Sequence, residues 1–594
     1  MYFMFFCLMS FALLADLPQD QSAMLTLNPL PSLRETTETP YGNIKRVVVL
    51  DEAAAAHEVG LTEILRCETT SRPRNAWEFS VRVPVDHAVK KDETLLLRFH
   101  ARTVYARTES GLGVIQPFFE KNEQPHTKSL NRQVEIGREW KEYSIPFKTV
   151  ESYDAGKSAV GVFLGFQEQV VEIGDFSLNF YGTEFDITTI PDTVPRYRGQ
   201  EWDAPWRQAA KQRIEQIRKG DMQVKVVDAN GQPITDAKVE IRMMRHAFGW
   251  GSAVVARRIL QQDAGHERYR EIIEKYFNRV VFENDMKWYS WENERNRDGV
   301  YQAVEWLQNR KIDIRGHCLL WPSWRNTPRH LRELENEPDK LCEVIREHIR
   351  DEVAALRGKI IDWDVINEPY DNNDIIKILG NQEMVEWFKL AKESDPNAKL
   401  YLNDYGILSG EGLDRRHQNF MFETLKHLVD NGAMIDGIGF QGHFGSTATP
   451  PDRLLEILDR FAEFKLPITV TEHDIDTTDE MFQAEFTRDF LTVMFSHPSV
   501  EAVLVWGFWE RSHWRPNAAY YRADWSLKPA GQVWLDLVTK QWWSNFDEKT
   551  NADGLVAIRG FLGDYEITVQ SGSRSKTIET TISKKGTLIE IQLR

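Results

Sequence analysis

Between His246 and Gln541 the hydrophobic pattern changes period repeatedly. Short runs of consecutive apolar residues give way to longer stretches whose apolar positions recur every three to four residues. Eight runs read as buried strands: His246–Val254, Arg279–Phe282, Ile312–Trp321, Lys359–Asn367, Lys399–Leu402, Ile435–Gln441, Pro467–Thr471 and Ala502–Trp506. Each is followed by a helical pattern, near 265–277, 301–310, 338–356, 382–393, 413–431, 451–463, 480–496 and 529–540. Strict strand–helix alternation predicts an α/β fold, a (β/α)8 TIM barrel over 246–541. A doubly wound open sheet is the alternative, but no Gly-rich dinucleotide or phosphate loop follows any of the strands.

The flanks have a different rhythm. Residues 45–183 alternate apolar and polar positions in short runs such as EFSVRVPV, TLLLRFHAR and GVFLGF, broken by Gly, Pro and Asn. That pattern predicts an antiparallel β-sandwich, which WKEYSIPF and FQEQVVEIGDFSLNFYG make similar to a jelly roll. Residues 184–220, with Pro191 and Pro195, read as a linker followed by a polar amphipathic helix. Met222–Met243 reads as two strands around a tight turn at Asn230 and Gly231, and Ala552–Arg594 is again all strands and turns. A lone hairpin is marginal in water. Segments 221–243 and 546–594 are therefore expected to pack together as a small accessory β-sandwich beside the barrel. Together they resemble a transthyretin-like module.

Composition narrows the partners. The 594 residues carry 73 basic and 90 acidic side chains, a net charge of −17, which argues against nucleic acid or an anionic membrane and suits a neutral ligand. Tryptophan is abundant at 19, and its flat face can carry a sugar ring, although most of these residues serve core packing. Residues 1–15 form one apolar run ending Ala12-Leu13-Leu14-Ala15, too short to span a bilayer. They read as a signal peptide without the usual basic start, and so point to a secreted or periplasmic protein. Beyond Cys7, the three cysteines Cys67, Cys318 and Cys342 are odd in number and widely spaced, and imply neither a disulfide framework nor a zinc site.

The chemistry falls at the C-terminal ends of the strands, where barrels of this kind build their sites. Those ends offer Glu283, Asn284, Lys287 and Trp288, then Arg315, His317 and Trp321, then Asn367 and Glu368, then Asn403, Asp404 and Tyr405. They continue with Gln441 and His443, with Glu472, and with Trp506, Trp509 and Trp514. Six or seven polar or Trp-bearing ends out of eight are hard to attribute to folding. Glu368 and Glu472 end the fourth and seventh strands, an arrangement that suits carboxylates roughly 5–5.5 Å apart in a retaining glycosidase. His443 and Asn367 are candidate donors to Glu472, and Asp474 a candidate partner for the second nitrogen of His443. Glu472 is thus the expected nucleophile and Glu368, without such an array, the expected acid/base. Glu283, Asn284, Lys287, His317 and Gln441 are expected to bind sugar hydroxyls, as is Asn367 at the 2-hydroxyl. Trp321 and Trp506 are expected to supply a stacking floor, with Tyr405 and Trp514 completing the sugar site. No metal or other cofactor is expected: the acidic cluster around His473 lacks a metal-ligand spacing, and adjacent strand residues face opposite ways.

These residues resemble glycoside hydrolase family 10, the endo-β-1,4-xylanases. FENDMKW is similar to the family's ENxMKW, RGHCLLW to RGHxLxW, WDVINEP to WDVxNE, and YLNDYGI to xxNDYN. GIGFQGHF is similar to GIGxQxH, TVTEHDI to xTELDI, and VWGFWERSHW to WGxxDxxSW. The resemblance covers 246–541 and implies a retaining xylanase with Glu368 as acid/base, Glu472 as nucleophile and xylan as substrate; a monomer is expected, although nothing in the sequence fixes the oligomeric state. A β-1,4-glucan hydrolase or transglycosylase is the alternative on the same barrel. A non-catalytic polysaccharide-binding protein is the alternative in another class. The chain departs from the family pattern at Pro322, where a second His is common, at His473 and at Glu510. WKEYSIPF and FQEQVVEIGDFSLNFYG also resemble the carbohydrate-binding modules often attached to xylanases, with Trp77, Tyr105, Phe118 and Trp140 as stacking candidates.

Overall fold

The protein is described by a computed structural model over residues 25–27, 36–49, 56, 59–107 and 112–594, apart from Asp186, Pro191, Pro195 and Trp202. The apolar segment 1–15 lies outside the described residues. The chain divides into two compact units, one up to Pro195 and one from Arg196 onward.

The first unit is a β-sandwich. One antiparallel sheet sets Lys141–Lys148, Thr94–Ala106, Gln169–Gly182, Glu63–Thr69, Gly42–Val48 and Thr36–Thr39 side by side. The other runs Ser80–Val85, Ser158–Phe163, Gly113–Lys121, Lys128–Asn131. Every second residue faces inward, so Leu95, Leu97, Phe99 and Ala101 of one sheet join Val81, Val83 and Val85 of the other in one core. Of the four aromatic candidates, Trp77 and Tyr105 are 60% and 53% exposed. Phe118 is buried against Phe163 at 4.3 Å, beneath Arg82 and Lys128, and is not available for stacking on a ligand. Trp140 lies under the Arg102 guanidinium.

In the second unit, eight parallel strands close into a barrel among the described residues. They are β1 (Gly249–Val254), β2 (Arg279–Phe282), β3 (Asp313–Gly316) and β4 (Asp362–Asn367), then β5 (Lys399–Asp404), β6 (Gly437–Phe440), β7 (Ile468–Ile475) and β8 (Val500–Val505). β8 pairs with β1 and closes the ring. The helices between them are amphipathic and capped where the sequence supplies acceptors. Asp263, Asn293, Asp414 and Asp479 each take a backbone N–H of the first turn. Close approach fixes two glycines: a Cβ on Gly316 would meet the Trp363 ring at 2.1 Å, and one on Gly437 the Tyr401 ring at 2.2 Å.

Several strand boundaries differ from the pattern reading, and β3 ends at Gly316 rather than running on to Trp321. The apolar run expected to begin at His246 is split, because His246 ends an accessory strand and its Nδ1 accepts from Phe248 N at 2.9 Å to form a bend. β7 continues four residues past Thr471, with all eight positions buried, so Glu472 and Asp474 project from within a strand.

The accessory β-sandwich is built from both flanks of the barrel. Lys219–Val227 pairs with Leu555–Phe561 and Thr587–Gln592, while Lys238–His246 pairs with Asn545–Lys549 and Gly563–Ser571. Met222, Val224, Val239, Ile241, Ile567 and Val569 fill it. An aromatic knot joins it to β1, with Trp250 stacked on Trp542 at 5.4 Å and Phe561 against Phe495 at 6.0 Å. The helix Pro205–Ile217 belongs to this unit, its Arg207 donating twice to the buried Asp489 at 2.6 and 2.7 Å.

Arg315, expected at the barrel mouth, lies wholly inside it. Its guanidinium sits 3.0 Å from Asp362, contacts Asp364 and covers the Tyr401 ring at 4.4 Å. Burial opposes its charge, but Asp364 and Asp362 outweigh burial and hold it protonated. Removing one partner of such a group leaves the others charged and unpaired. Arg315→Met is therefore expected to destabilise the barrel by about 3–5 kcal/mol. A denaturant titration followed by near-ultraviolet circular dichroism reads this, and an unchanged midpoint would refute it.

Candidate active site

The barrel mouth is stitched strand to strand by backbone hydrogen bonds. Glu368 N donates to Asn403 O at 2.9 Å, Gln441 N to Asp404 O at 3.0 Å, Glu472 N to Gln441 O at 2.9 Å, and Trp506 N to His473 O at 2.9 Å. Residues far apart in sequence are thereby fixed on adjacent strand ends.

Glu472 is buried, and both its oxygens are engaged. Asn403 Nδ2 donates to Oε1 at 2.9 Å, and His443 Nε2 lies 3.2 Å from Oε2. The other ring nitrogen of His443 is 3.0 Å from Asp474, which also accepts from Trp514 Nε1 at 2.7 Å. Burial opposes protonation of His443, yet Asp474 and then Glu472 raise its pKa to about 9, so the ring is a cation at neutral pH. Burial acts to raise the Asp474 carboxyl, but His443 outweighs it and the pKa is lowered.

The expected bond from Asn367 to Glu472 is not formed. Thr471 Oγ1 donates to Asn403 Oδ1 at 2.7 Å, which turns the Asn403 amide so that its N–H groups reach Glu472 and Asn367 Oδ1, the latter at 2.9 Å. With its oxygen occupied, Asn367 turns its own N–H toward Glu368, 3.4 Å away. The sequence placed Asn403 at a strand end without giving it a role, and Thr471 was not among the expected site residues. Their signal was adjacency: Asn403 ends β5 beside Asp404, and Thr471 directly precedes Glu472.

Glu368 sits in a contrasting environment. Its backbone adopts φ +53°, a left-handed conformation that costs a non-glycine residue energy and turns the side chain into the mouth. Gln441 Nε2 donates to Oε1 at 2.7 Å and Asn372 Nδ2 to Oε2 at 3.2 Å. Burial raises its pKa to about 7, against the Gln441 hydrogen bond and with help from Glu472 and Asp404. The two glutamates thus differ in charge environment.

A second group gathers after β2 and β3. Asn284 Nδ2 donates to Glu283 at 3.1 Å, Lys287 Nζ donates to Asn284 Oδ1 at 2.8 Å, and Lys287 lies over the Trp321 ring at 5.1 Å. Burial raises the Glu283 carboxyl, opposed by Lys287. His317 is held by Asp364 at 2.9 Å, lies 3.9 Å from Glu472, and meets the Trp506 ring edge-on at 5.2 Å. Trp514 is 48% exposed and covers His443 at 4.9 Å. Tyr405 stands apart: its hydroxyl donates to Asp371. Among the described residues, no group of three or more His, Cys, Asp or Glu side chains is placed to hold a metal ion.

The match to glycosyl hydrolase family 10 spans residues 241–536. The chain is 31% identical over 267 residues to endo-1,4-beta-xylanase B of Thermotoga neapolitana, covering 42% of this chain and 75% of that protein. It is 34% identical over 377 residues to anti-sigma-I factor RsgI6 of Acetivibrio thermocellus, covering 62% of this chain and 47% of that one. Over 373 residues it is 30% identical to endo-1,4-beta-xylanase 1 of Arabidopsis thaliana, of which it covers 38%. The chain thus spans half or less of the length of these last two relatives. Native xylanase 10B from Thermotoga maritima is 28% identical in sequence, with a TM-score of 0.45, covering 50% of this chain and 96% of that one. A barrel of strand-end carboxylates and amides defines a glycoside-hydrolase scaffold. The chain belongs to glycosyl hydrolase family 10.

The His443–Asp474 contact makes a checkable statement about charge. His443 has an ordinary pKa of 6.5, raised to about 9 in the folded protein. Its contribution to stability is therefore complete below about 6.5 and lost as pH rises through about 9. Asp474→Asn should bring this titration down by about one unit or more. Nitrogen-detected NMR of the imidazole reads it directly, and an unchanged titration would remove Asp474 as the cause.

Proposed function

We propose that the protein is a retaining endo-β-1,4-xylanase acting on internal bonds of xylan. The observation that carries this reading is the contrast between the two glutamates: Glu368 with a carboxyl raised to about 7, and Glu472 held between Asn403 and the His443 cation. Glu472 attacks the anomeric carbon as the bond to the leaving oxygen breaks, and the Glu368 proton passes to that oxygen. Glu368, now ionised, takes a proton from water. The resulting attack on the anomeric carbon breaks the glycosyl ester and frees Glu472. Asn367 is turned to meet the 2-hydroxyl, where a hydrogen bond strengthens in the transition state. Glu283, Asn284, Lys287, His317 and Gln441 bind hydroxyls of neighbouring sugars, with Trp321, Trp506 and Trp514 against the ring faces. Tyr405, tied to Asp371, lies at the rim.

The same reading gives the N-terminal sandwich a carbohydrate-binding role, with Trp77 and Tyr105 as its exposed aromatics, and makes the enzyme a secreted one. Xylan and β-1,4-glucan differ by one hydroxymethyl group per sugar, a small discriminator in binding energy, so weak action on glucan mimics is expected. A polysaccharide-binding protein without catalysis is the competing reading, and product analysis on xylan beside carboxymethylcellulose separates the two.

Glu472→Gln is expected to abolish hydrolysis of an aryl xylobioside, and retained turnover would refute the nucleophile. Glu368→Ala should retain glycosylation only with very good leaving groups, and azide should restore turnover as a β-azide; an α-product would mean inversion. Because the acid acts protonated, kcat/KM should fall as pH rises through about 7. A rate–pH profile on a poor leaving group tests this, and a flat profile to pH 9 would contradict it.

A further inference from the structure

The loop after β3, where Pro322 stands in place of a second His, is joined to the loop after β4 by side chains that the sequence reading left unused. Ser323 Oγ donates to Asn372 Oδ1 at 3.0 Å, and Asn326 Nδ2 donates to the same oxygen at 2.9 Å. Trp324 N donates to Asp374 at 3.1 Å, and Ile375 N to Pro322 O at 3.2 Å, so backbone as well as side chains bind the two loops. Ser323 and Asn372 are both buried. An amide whose oxygen accepts from two donors can only turn its N–H groups the other way. Asn372 Nδ2 accordingly faces Glu368 Oε2 at 3.2 Å.

The two oxygens of Glu368 are then unequal. Oε1 accepts from Gln441 at 2.7 Å and from Asn367 at 3.4 Å, which fills both its lone-pair directions. Oε2 accepts from Asn372 alone among these amides and retains one position. We propose that Asn372 is a positioning residue for Glu368: locked by Ser323 and Asn326, it fixes the carboxyl rotamer and makes Oε2 the oxygen that carries the proton. The proposal rests on the acid/base reading of Glu368. It supplies what Pro322 cannot, a polar group from the loop after β3 that acts on the cleavage point, here through a second amide rather than on the sugar.

Titration of Glu368 is sensed by Glu472 on β7, His443 after β6, Asp404 and Tyr405 at the end of β5, and Cys318 after β3. Of these only Cys318 lies on a loop altered in the test, and Asn372→Asp leaves that loop unchanged. Asn372→Asp keeps an acceptor for Ser323 and Asn326, so the loops stay joined, but replaces the one donor to Oε2 by a second carboxyl. The basic limb of kcat/KM on xylan is expected to move up by about one pH unit or more, as like charges in contact require. In the double variant Ser323→Ala/Asn326→Ala, Asn372 keeps its donor but loses its fixed direction. Its rate on a phenyl xylobioside should fall about five- to tenfold relative to its rate on a dinitrophenyl xylobioside, the scale of one hydrogen bond. Equal loss on both leaving groups, or a basic limb that stays in place, would reduce Asn372 to loop packing. If Asn372→Asp does not turn over, infrared titration of the Glu368 carboxylate, with Glu368→Gln as the blank, reads the same shift without catalysis. Should Glu368→Ala show no leaving-group dependence, the acid/base reading fails, while the infrared titration still decides whether Asn372 governs this carboxyl.

Discussion

Asn403 has two N–H groups and one oxygen, and the barrel mouth leaves none of them to water. Thr471 holds the oxygen, so one N–H must reach Glu472 and the other must reach Asn367. That single orientation passes along the rim. It gives Glu472 its neutral donor, turns Asn367 outward, and leaves Glu368 to be held by Gln441 and Asn372. An inverted Asn403 amide would set its oxygen against the Glu472 carboxylate and against the Asn367 oxygen, and buried polar groups left unpaired are costly. The orientation therefore depends on the fold, because only a closed barrel brings Thr471, Asn403 and Asn367 from three strands to hydrogen-bond distance.

Below the mouth a second layer is ionic. Arg315 bridges Asp362 and Asp364, and Asp364 in turn holds His317 toward Glu472. A charge at the centre of a barrel is unusual, since this space is ordinarily filled by branched apolar side chains. Its effect here is directional: the carboxylate below fixes one nitrogen of His317, and the ring then presents a defined face to Trp506. Structural charge and site geometry are continuous along β3 and β4.

The barrel and both β-sandwiches were legible because burial writes itself into sequence. Parallel strands covered on both faces read as unbroken apolar runs, and their helices as three-to-four-residue periodicities. What misled was the end of a run. His246 belongs to an accessory strand because a side-chain bend, invisible to periodicity, interrupts the chain before β1. Strand ends also indicated which residues meet at the mouth, but not the direction of each hydrogen bond. Asn367 and Asn403 look interchangeable as donors to Glu472 until Thr471 breaks the tie. Arg315 looked like a mouth residue because it is polar and near a strand end. Its place inside follows from two aspartates on the neighbouring strand, a pairing that spacing alone does not announce.

The accessory sandwich imposes an order in time on a chain made from one end. Its first strand, Lys219–Val227, emerges early but finds its partners only in Leu555–Phe561 and Thr587–Gln592. Between them lies the whole barrel, and β1 likewise waits for β8. Such distant pairings are entropically slow to form and leave strand edges open meanwhile. Until those partners emerge, the nascent chain holds two strands, Lys219–Val227 and Lys238–His246, that belong to different sheets and do not pair with each other as a hairpin. The second unit is thus completed by Leu555–Phe561 and Thr587–Gln592: their loss, remote from every carboxylate at the mouth, strands the opening segment without a sheet to join.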